Sequence, residues 1–298
     1  MATAEELVRE VRNAANKRVY PLYVLPVENV DKLDVLIPHE EALKAGLLVE
    51  LQDAPNIGSF FAHKVLADGT SGERLYKGKT FFTDNLLVFS HRWLRPSLDP
   101  SKSHPDSKDG IKMKGIRQVI DMQKEIWVDM KKSETPEFIW MDYFSVPQFD
   151  FDKQRQALLS IPAYFRSSSK FVALMSNEAD FVKYMSRCWC RLEVVTARSP
   201  HRFKSLFYIP KQQYYFYMEN KEIHEFGWEH FQNPLDGDLT DERDRVYIGG
   251  LLKYYSVELE RFKGLPEAAV YYQQGQDDFI APKDVPQDVV ANLKKFAS

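Results

Sequence analysis

The chain has 298 residues, 44% hydrophobic and 13% aromatic, enough to bury a sizeable core in one large domain or a domain with two elaborations. Its net charge of −3 argues against nucleic acid as a partner, because phosphate binding needs a basic excess on some surface. Two cysteines, Cys188 and Cys190, make neither a disulfide framework nor a zinc set, and read as reduced thiols of a cytosolic protein.

Residues 3–18 predict an amphipathic helix. Thr3 and Glu6 form a capping-box pattern, and Leu7, Val8, Val11, Ala14 and Ala15 share a stripe. No secretory leader is visible, and no run approaches the roughly 20 apolar residues of a membrane span. Up to residue 80, short apolar runs alternate with Pro and Gly, which predicts an ordered but irregular N-terminal extension with short strands such as 47–51. Gly69, Gly72 and Gly78 mark turns before a boundary near residue 80.

A regular rhythm follows. Leu86–Phe89 reads as a buried strand, 97–110 as a polar loop, and 111–131 as a helix with Met113, Ile116, Val119, Ile120, Trp127 and Met130 on or near one face. A second strand, Phe138–Met141, ends at Asp142. Residues 152–168 are helical in character, with Pro162 set to start, kink or break the helix. Phe171–Met175 is a third strand, ending at Ser176; Cys190–Ala197 continues the next helix, and Phe203–Ile209 supplies a fourth strand. Tyr214–Tyr217 is an aromatic run, and Thr240 can cap a helix in which Ile248, Leu251, Leu252 and Tyr255 share a face.

Strands alternating with helices predict an α/β fold, a parallel sheet covered on both faces. The chain divides into an extension at 1–80, the α/β domain at 81–212 and a helical, aromatic extension at 213–298. Right-handed crossovers bring the strand C-termini to one edge, where ligands of open α/β sheets bind. Three ends are polar there: Ser90-His91-Arg92, Asp142-Tyr143 and Ser176-Asn177. Several chemistries are excluded by absence: there is no GxGxxG, no GxxxxGK[ST] and no GxSxG. His224 and His230 lack HExxH spacing, and His104-Pro-Asp106 reads as a turn.

The run from Ala157 through Ser176, followed by Ser186-x-x-Trp189-Cys190-x-x-Glu193, resembles the TIR domain. There a helix ending in serine feeds an apolar strand ending in serine, and a Ser-x-Trp-Cys-x-x-Glu segment opens the next helix. One extra residue separates Ser186 from Trp189 here. Val88-Phe-Ser-His-Arg92 and Ile139-Trp-Met-Asp142 are similar to that family's first two strands. Ser90-His-Arg-Trp93 and Trp140-Met-Asp…Gln148 resemble the related fungal heterokaryon-incompatibility (HET) domains even more. The likeness covers about residues 82–212.

The resemblance implies a flavodoxin-like sheet, self-association, a signalling or defence role, and in many members cleavage of NAD⁺ at the nicotinamide–ribose bond. It gives Glu193 the catalytic role. The chemistry suits one acid: nicotinamide departs neutral from a cation, so no second carboxyl is needed to protonate it, and a carboxylate beside the ribose stabilises the oxocarbenium-like transition state. Ser90 and Arg92 would hold ribose or phosphate, Arg92 alternatively pairing with Asp142. Trp93, Tyr143 and Phe144 would frame the base or pack. His91, Asp142, Ser145 and Ser176 complete the rim. Trp189, four residues before Glu193, shares its helix face and can pack in the core or desolvate the carboxylate. NAD⁺ would be substrate, with no cofactor and no metal. The chain departs from the family where His91 replaces Phe or Tyr and where Tyr143-Phe-Ser-Val-Pro147 follows Asp142. A non-catalytic self-associating module, or an enzyme acting on another nucleotide, are the alternatives.

Overall fold

Apolar runs closed by polar residues form the parallel heart of the sheet in the computed structural model. It describes residues 18–54, 59–82, 85–99, 102–129, 136–168, 170–174, 179–198, 204–209, 214–218 and 234–252, with Glu6, Arg9 and Glu10. Four strands run parallel: β6 (Leu86–His91), β7 (Phe138–Met141), β8 (Lys170–Leu174) and β9 (Lys204–Ile209). Their spatial order is β7-β6-β8-β9. Val88 at the centre of β6 lies opposite Trp140 on one side and Phe171 on the other. Every residue of β6 and β7 is buried, as expected for strands covered on both faces. The order reverses at β6: the next strand in the chain lies to one side of it and the following one to the other. In open α/β sheets that reversal opens a crevice at the strands' C-terminal ends.

The sheet does not stop at the predicted boundary near residue 80. Strand β1 (Leu22–Pro26) pairs antiparallel with β7, placing Leu25 opposite Ile139. Next come β2 (Val49–Asp53) and β3 (Ser59–Val65), also antiparallel, and then β4 (Ser71–Arg74) and β5 (Phe81–Phe82), which share the outer edge of β3. On the opposite flank, β10 (Tyr214–Met218) runs antiparallel to β9. The expected all-parallel sheet is therefore corrected to a mixed one. Strands separated by short Gly-containing turns pair as hairpins, whereas parallel pairing needs a long crossover.

Helices supply those crossovers. α1 (His39–Lys44) precedes β2; α2 (Ile111–Asp129) links β6 to β7 and buries Met113, Ile116, Val119 and Ile120 of the stripe read from the sequence, whose Trp127 and Met130 side chains lie outside the described residues. α3 (Asp142–Ser145) is one turn at the end of β7. Pro162 divides the expected 152–168 helix into α4 (Phe151–Leu159) and α5 (Ile161–Arg166), standing in the first turn of the second, where its missing N–H costs no hydrogen bond. Asp150 caps α4 by accepting Lys153 N at 3.1 Å. α6 (Ala179–Met185) and α7 (Cys188–Arg198) follow β8.

Residues 244–252 are helical and bury Ile248, Leu251 and Leu252. Thr240 does not cap this helix; its hydroxyl accepts from Arg187 Nη2 at 2.6 Å. One core joins these layers, with Trp140 against Tyr164 and Phe165 at ring separations of 5.8 Å. Most of the 3–18 helix, Ser176 and everything after residue 252 lie outside the described residues. Among those described, no helix is long and apolar enough to cross a membrane.

Candidate active site

Successive side chains of a strand point to opposite faces of the sheet. The last two residues of β6, Ser90 and His91, therefore carry polar groups to opposite faces at the C-terminal end of the strand, each into its own buried cluster.

On the first side, α6 and α7 deliver Tyr184 and Glu193. Ser90 Oγ donates to Glu193 Oε2 and is also hydrogen-bonded to the Tyr184 hydroxyl. A serine hydroxyl has one proton. With that proton directed at the carboxyl, Tyr184 is the donor to Ser90, and the three groups form a donor chain ending on Glu193. Tyr184 is fully buried, which raises its pKa well above 10 and keeps it protonated. Glu193 is 8% exposed. Burial first, and then the Asp142 charge, push its carboxyl up to about 8, against the opposing pull of the Ser90 hydrogen bond.

On the second side, α2 delivers Lys112, 3% exposed. Its Nζ lies 3.0 Å from His91 Nδ1 and donates to the Arg92 carbonyl. An ammonium only donates, so Nδ1 is the accepting nitrogen and the ring proton sits on Nε2. That nitrogen lies 2.7 Å from Asp142 Oδ1 and donates to it. Trp93 Nε1 donates to Asp142 Oδ2 at 3.1 Å. Burial and the neighbouring Lys112 lower the His91 pKa, and Asp142 opposes them. Burial lowers Lys112 from 10.5 to about 8. Burial pushes the Asp142 carboxyl upward, but the His91 ring and the N–H groups of Trp93 and Tyr143 outweigh it and hold Asp142 below the ordinary range. The end of β6 thus carries an ionised acid on one side and a neutral one on the other.

An aromatic edge borders Asp142. Trp93 meets Tyr143 edge-to-face at 5.2 Å, and Tyr143 meets His104 at 5.3 Å. Asp106 folds this loop back: its carboxylate accepts the backbone N–H groups of Leu36, Ser107, Lys112 and Met113. His104-Pro-Asp106 is the turn its sequence suggests, with Asp106 N donating to His104 Nδ1 at 3.0 Å.

The expected site residues divide accordingly. Ser90, His91, Trp93, Asp142, Tyr143 and Glu193 gather at the end of β6. Arg92 is half-buried there and its Nη1 donates to the Trp93 carbonyl at 3.2 Å, while the Asp142 oxygens are taken by His91 and Trp93. Phe144 and Ser145 are corrected to core positions, at 0% and 1% exposure. They fill the single turn of α3: the Phe144 carbonyl meets His39 Nδ1 at 3.0 Å, and Ser145 Oγ accepts Met141 N at 3.4 Å. Trp189 is also turned elsewhere; its indole N–H donates to Asp244 Oδ2 at 2.8 Å. Cys190 is buried, with its Sγ 3.7 Å from the His91 carbonyl, and burial holds its thiol protonated. Among the described residues no group of His, Cys, Asp and Glu could hold a metal ion.

Two members of the site were not singled out from the sequence. The signal for Tyr184 is the helical i, i+3, i+4 spacing of Phe181, Tyr184 and Met185. Lys112 stands four residues before Ile116 and seven before Val119, in line with the buried stripe of α2, which is the signal that it cannot face solvent.

Fold and site together define the class only broadly: an α/β protein with a mixed open sheet and a polar, pKa-divided strand end. No family model, no curated protein and no solved structure matches the chain.

Proposed function

We propose that the chain is a TIR- and HET-like NAD⁺ glycohydrolase of the cytoplasm, with a flavodoxin-like parallel core, acting in signalling or defence and able to self-associate. The observation that carries this reading is the position of Glu193: a buried acid hydrogen-bonded to Ser90 at the C-terminal end of β6, where the strand order reverses. The order β7-β6-β8-β9 is the one a flavodoxin-like core begins with.

In this reading the C1′–N bond of the nicotinamide riboside breaks and its electron pair goes to nicotinamide, which leaves neutral. The ribosyl cation is steadied by Glu193 and captured by water, whose proton passes to solvent. Glu193 is largely protonated at neutral pH until a cation arrives beside it; a positive charge favours the carboxylate and draws the proton off. Asp142, ionised and a third exposed, lies near enough to add to that field. Incubation of the protein with NAD⁺, at high concentration or with a crowding agent to permit assembly, tests the idea through nicotinamide release. Glu193→Gln is expected to lower turnover at least ~100-fold, the cost of one lost electrostatic stabiliser. Turnover unchanged by that substitution removes Glu193 from the mechanism.

A second reading has its own support. Glu193 is 8% exposed, and its Oε2 accepts from Ser90, which is in turn bonded to Tyr184, as in a structural network of a non-catalytic self-association module. Such a module releases no nicotinamide at any concentration. A third has Glu193 donate its proton to a neutral nucleobase leaving group; a panel of nucleosides and nucleotides read by mass spectrometry separates it from NAD⁺ cleavage.

A further inference from the structure

The buried lysine has no place in the chemistry above. Lys112 is nearly sealed from solvent, yet its partners are an imidazole nitrogen and a backbone carbonyl rather than a carboxylate. Buried charges are ordinarily paired with an opposite charge directly. Here the pairing passes through a ring. Lys112 Nζ, His91 Nδ1, His91 Nε2 and Asp142 Oδ1 form one line of contacts of 3.0 and 2.7 Å, from the first turn of α2 to the end of β7. The line ends on a side chain that reaches the surface, since that of Asp142 is 32% exposed whereas that of His91 is 1% exposed.

We propose that Lys112 is a positioning residue: through the His91 ring it pins the Asp142 carboxylate at the rim, where the carboxylate receives a hydroxyl of a bound sugar. The ring can do this in one tautomer alone. Only with Nδ1 accepting from Lys112 does Nε2 carry the proton that Asp142 needs. Trp93 Nε1 fixes the second carboxylate oxygen. A carboxylate offers about four acceptor positions; the His91 ring, the Trp93 indole and the Tyr143 N–H take three, and one remains for a sugar hydroxyl. The final step, sugar recognition, rests on the nucleotide reading of the rim; the tautomer lock does not.

The charged and titratable neighbours come from every element around the line. Lys112 and Asp142 face His91, with Asp106 behind them from the loop before α2; Lys112 itself also faces Arg92 at the end of β6 and Cys190 of α7. The test is NMR of ¹⁵N-histidine-labelled full-length protein, with the His91 signal assigned by its loss in His91→Gln. The wild type is expected to show the Nε2-protonated tautomer at pH 7. In Lys112→Met the ring, still donating its Nε2–H to Asp142, is expected to take a second proton on Nδ1 and to titrate at higher pH, because a neighbouring cation is gone. A wild-type ring protonated on Nδ1 overturns the proposal on its own, whether or not the variant folds. So does a Lys112→Met ring with unchanged titration.

NAD⁺ kinetics then read the final step. Lys112→Met should raise KM roughly tenfold, the worth of one charge-assisted hydrogen bond. An unchanged KM overturns sugar recognition by Asp142. A wild type that cleaves no NAD⁺ overturns the function proposed above and leaves the positioning role to be decided by the imidazole signals.

Discussion

Ser90 Oγ donates to Glu193 Oε2, joining the penultimate residue of β6 to the second turn of α7 across 103 positions of sequence. This bond is the one favourable interaction opposing the burial and the Asp142 charge that drive the carboxyl toward neutrality. Ser90→Ala should therefore raise the Glu193 pKa further. It also leaves the buried Tyr184 hydroxyl without its serine partner, at a cost of about 1–3 kcal/mol. Urea unfolding at pH 6 and 8 reads both effects; a variant as stable as the wild type at both pH values contradicts them.

Glu193 and Lys112 give stability a distinctive pH dependence. Glu193 titrates at about 8 in the folded chain against an ordinary 4.5, so between those values the folded state holds more protons and stability falls as pH rises. Lys112 titrates at about 8 against 10.5; between those values the folded state holds fewer protons and stability rises with pH. The two windows meet near pH 8, where these groups make the native state least stable. His91 and His39, both lowered, oppose Glu193 below pH 6.5, so its effect is cleanest between 6.5 and 8. There the wild type should lose up to ~1.4 kcal/mol per pH unit relative to Glu193→Gln. Urea midpoints of the two proteins at half-unit steps check this, and parallel curves contradict the shift.

Asp106 is completely buried and accepts four backbone N–H groups, from Leu36 in the loop before α1, from Ser107 beside it and from Lys112 and Met113 at the start of α2. Asp106→Ala strands those donors and should cost roughly 2–4 kcal/mol, a lost cap plus unsatisfied amides. Asp106→Asn keeps one of the two accepting oxygens, and with it two of the four bonds, and should cost less. The ratio of the two losses, by chemical denaturation, distinguishes a hydrogen-bonding role from mere packing, for which both would be small.

Gly110 closes the same loop at φ +65°, and a Cβ there would stand 2.0 Å from the Asp34 carbonyl oxygen. Gly110→Ala must move the 34–36 backbone as well as bear the left-handed strain, together at least about 2 kcal/mol. Gly46 has a similar φ of +66° and open space around its Cβ, so Gly46→Ala bears the strain alone. Thermal unfolding should rank Gly110→Ala clearly below Gly46→Ala.

Much of the sheet was legible in the chain. Leu86–Phe89, Phe138–Met141 and Phe171–Met175 declare themselves as strands because a segment buried on both faces must be continuously apolar, and the polar residue that closes each one marks the rim. The stripe of α2 and the seat of Pro162 follow equally from local geometry. The sequence alone therefore put Ser90, Asp142 and Glu193 on strand ends and a helix. Periodicity cannot say which elements meet. That β1 would pair with β7 and carry the sheet past residue 80 depends on edges that many strands could satisfy. That Trp189 would bond Asp244, 55 positions on, depends on a helix arriving from elsewhere. Phe144 and Ser145 looked like rim residues because they follow a strand end, but one turn of helix rotates them into the core. The spacing of Lys112 with the α2 stripe puts it on the inner face, but only the approach of α2 to the end of β6 sets its charge against His91. Tertiary packing decided these points because burial and pKa belong to the neighbours a side chain meets, and the neighbours come from distant segments.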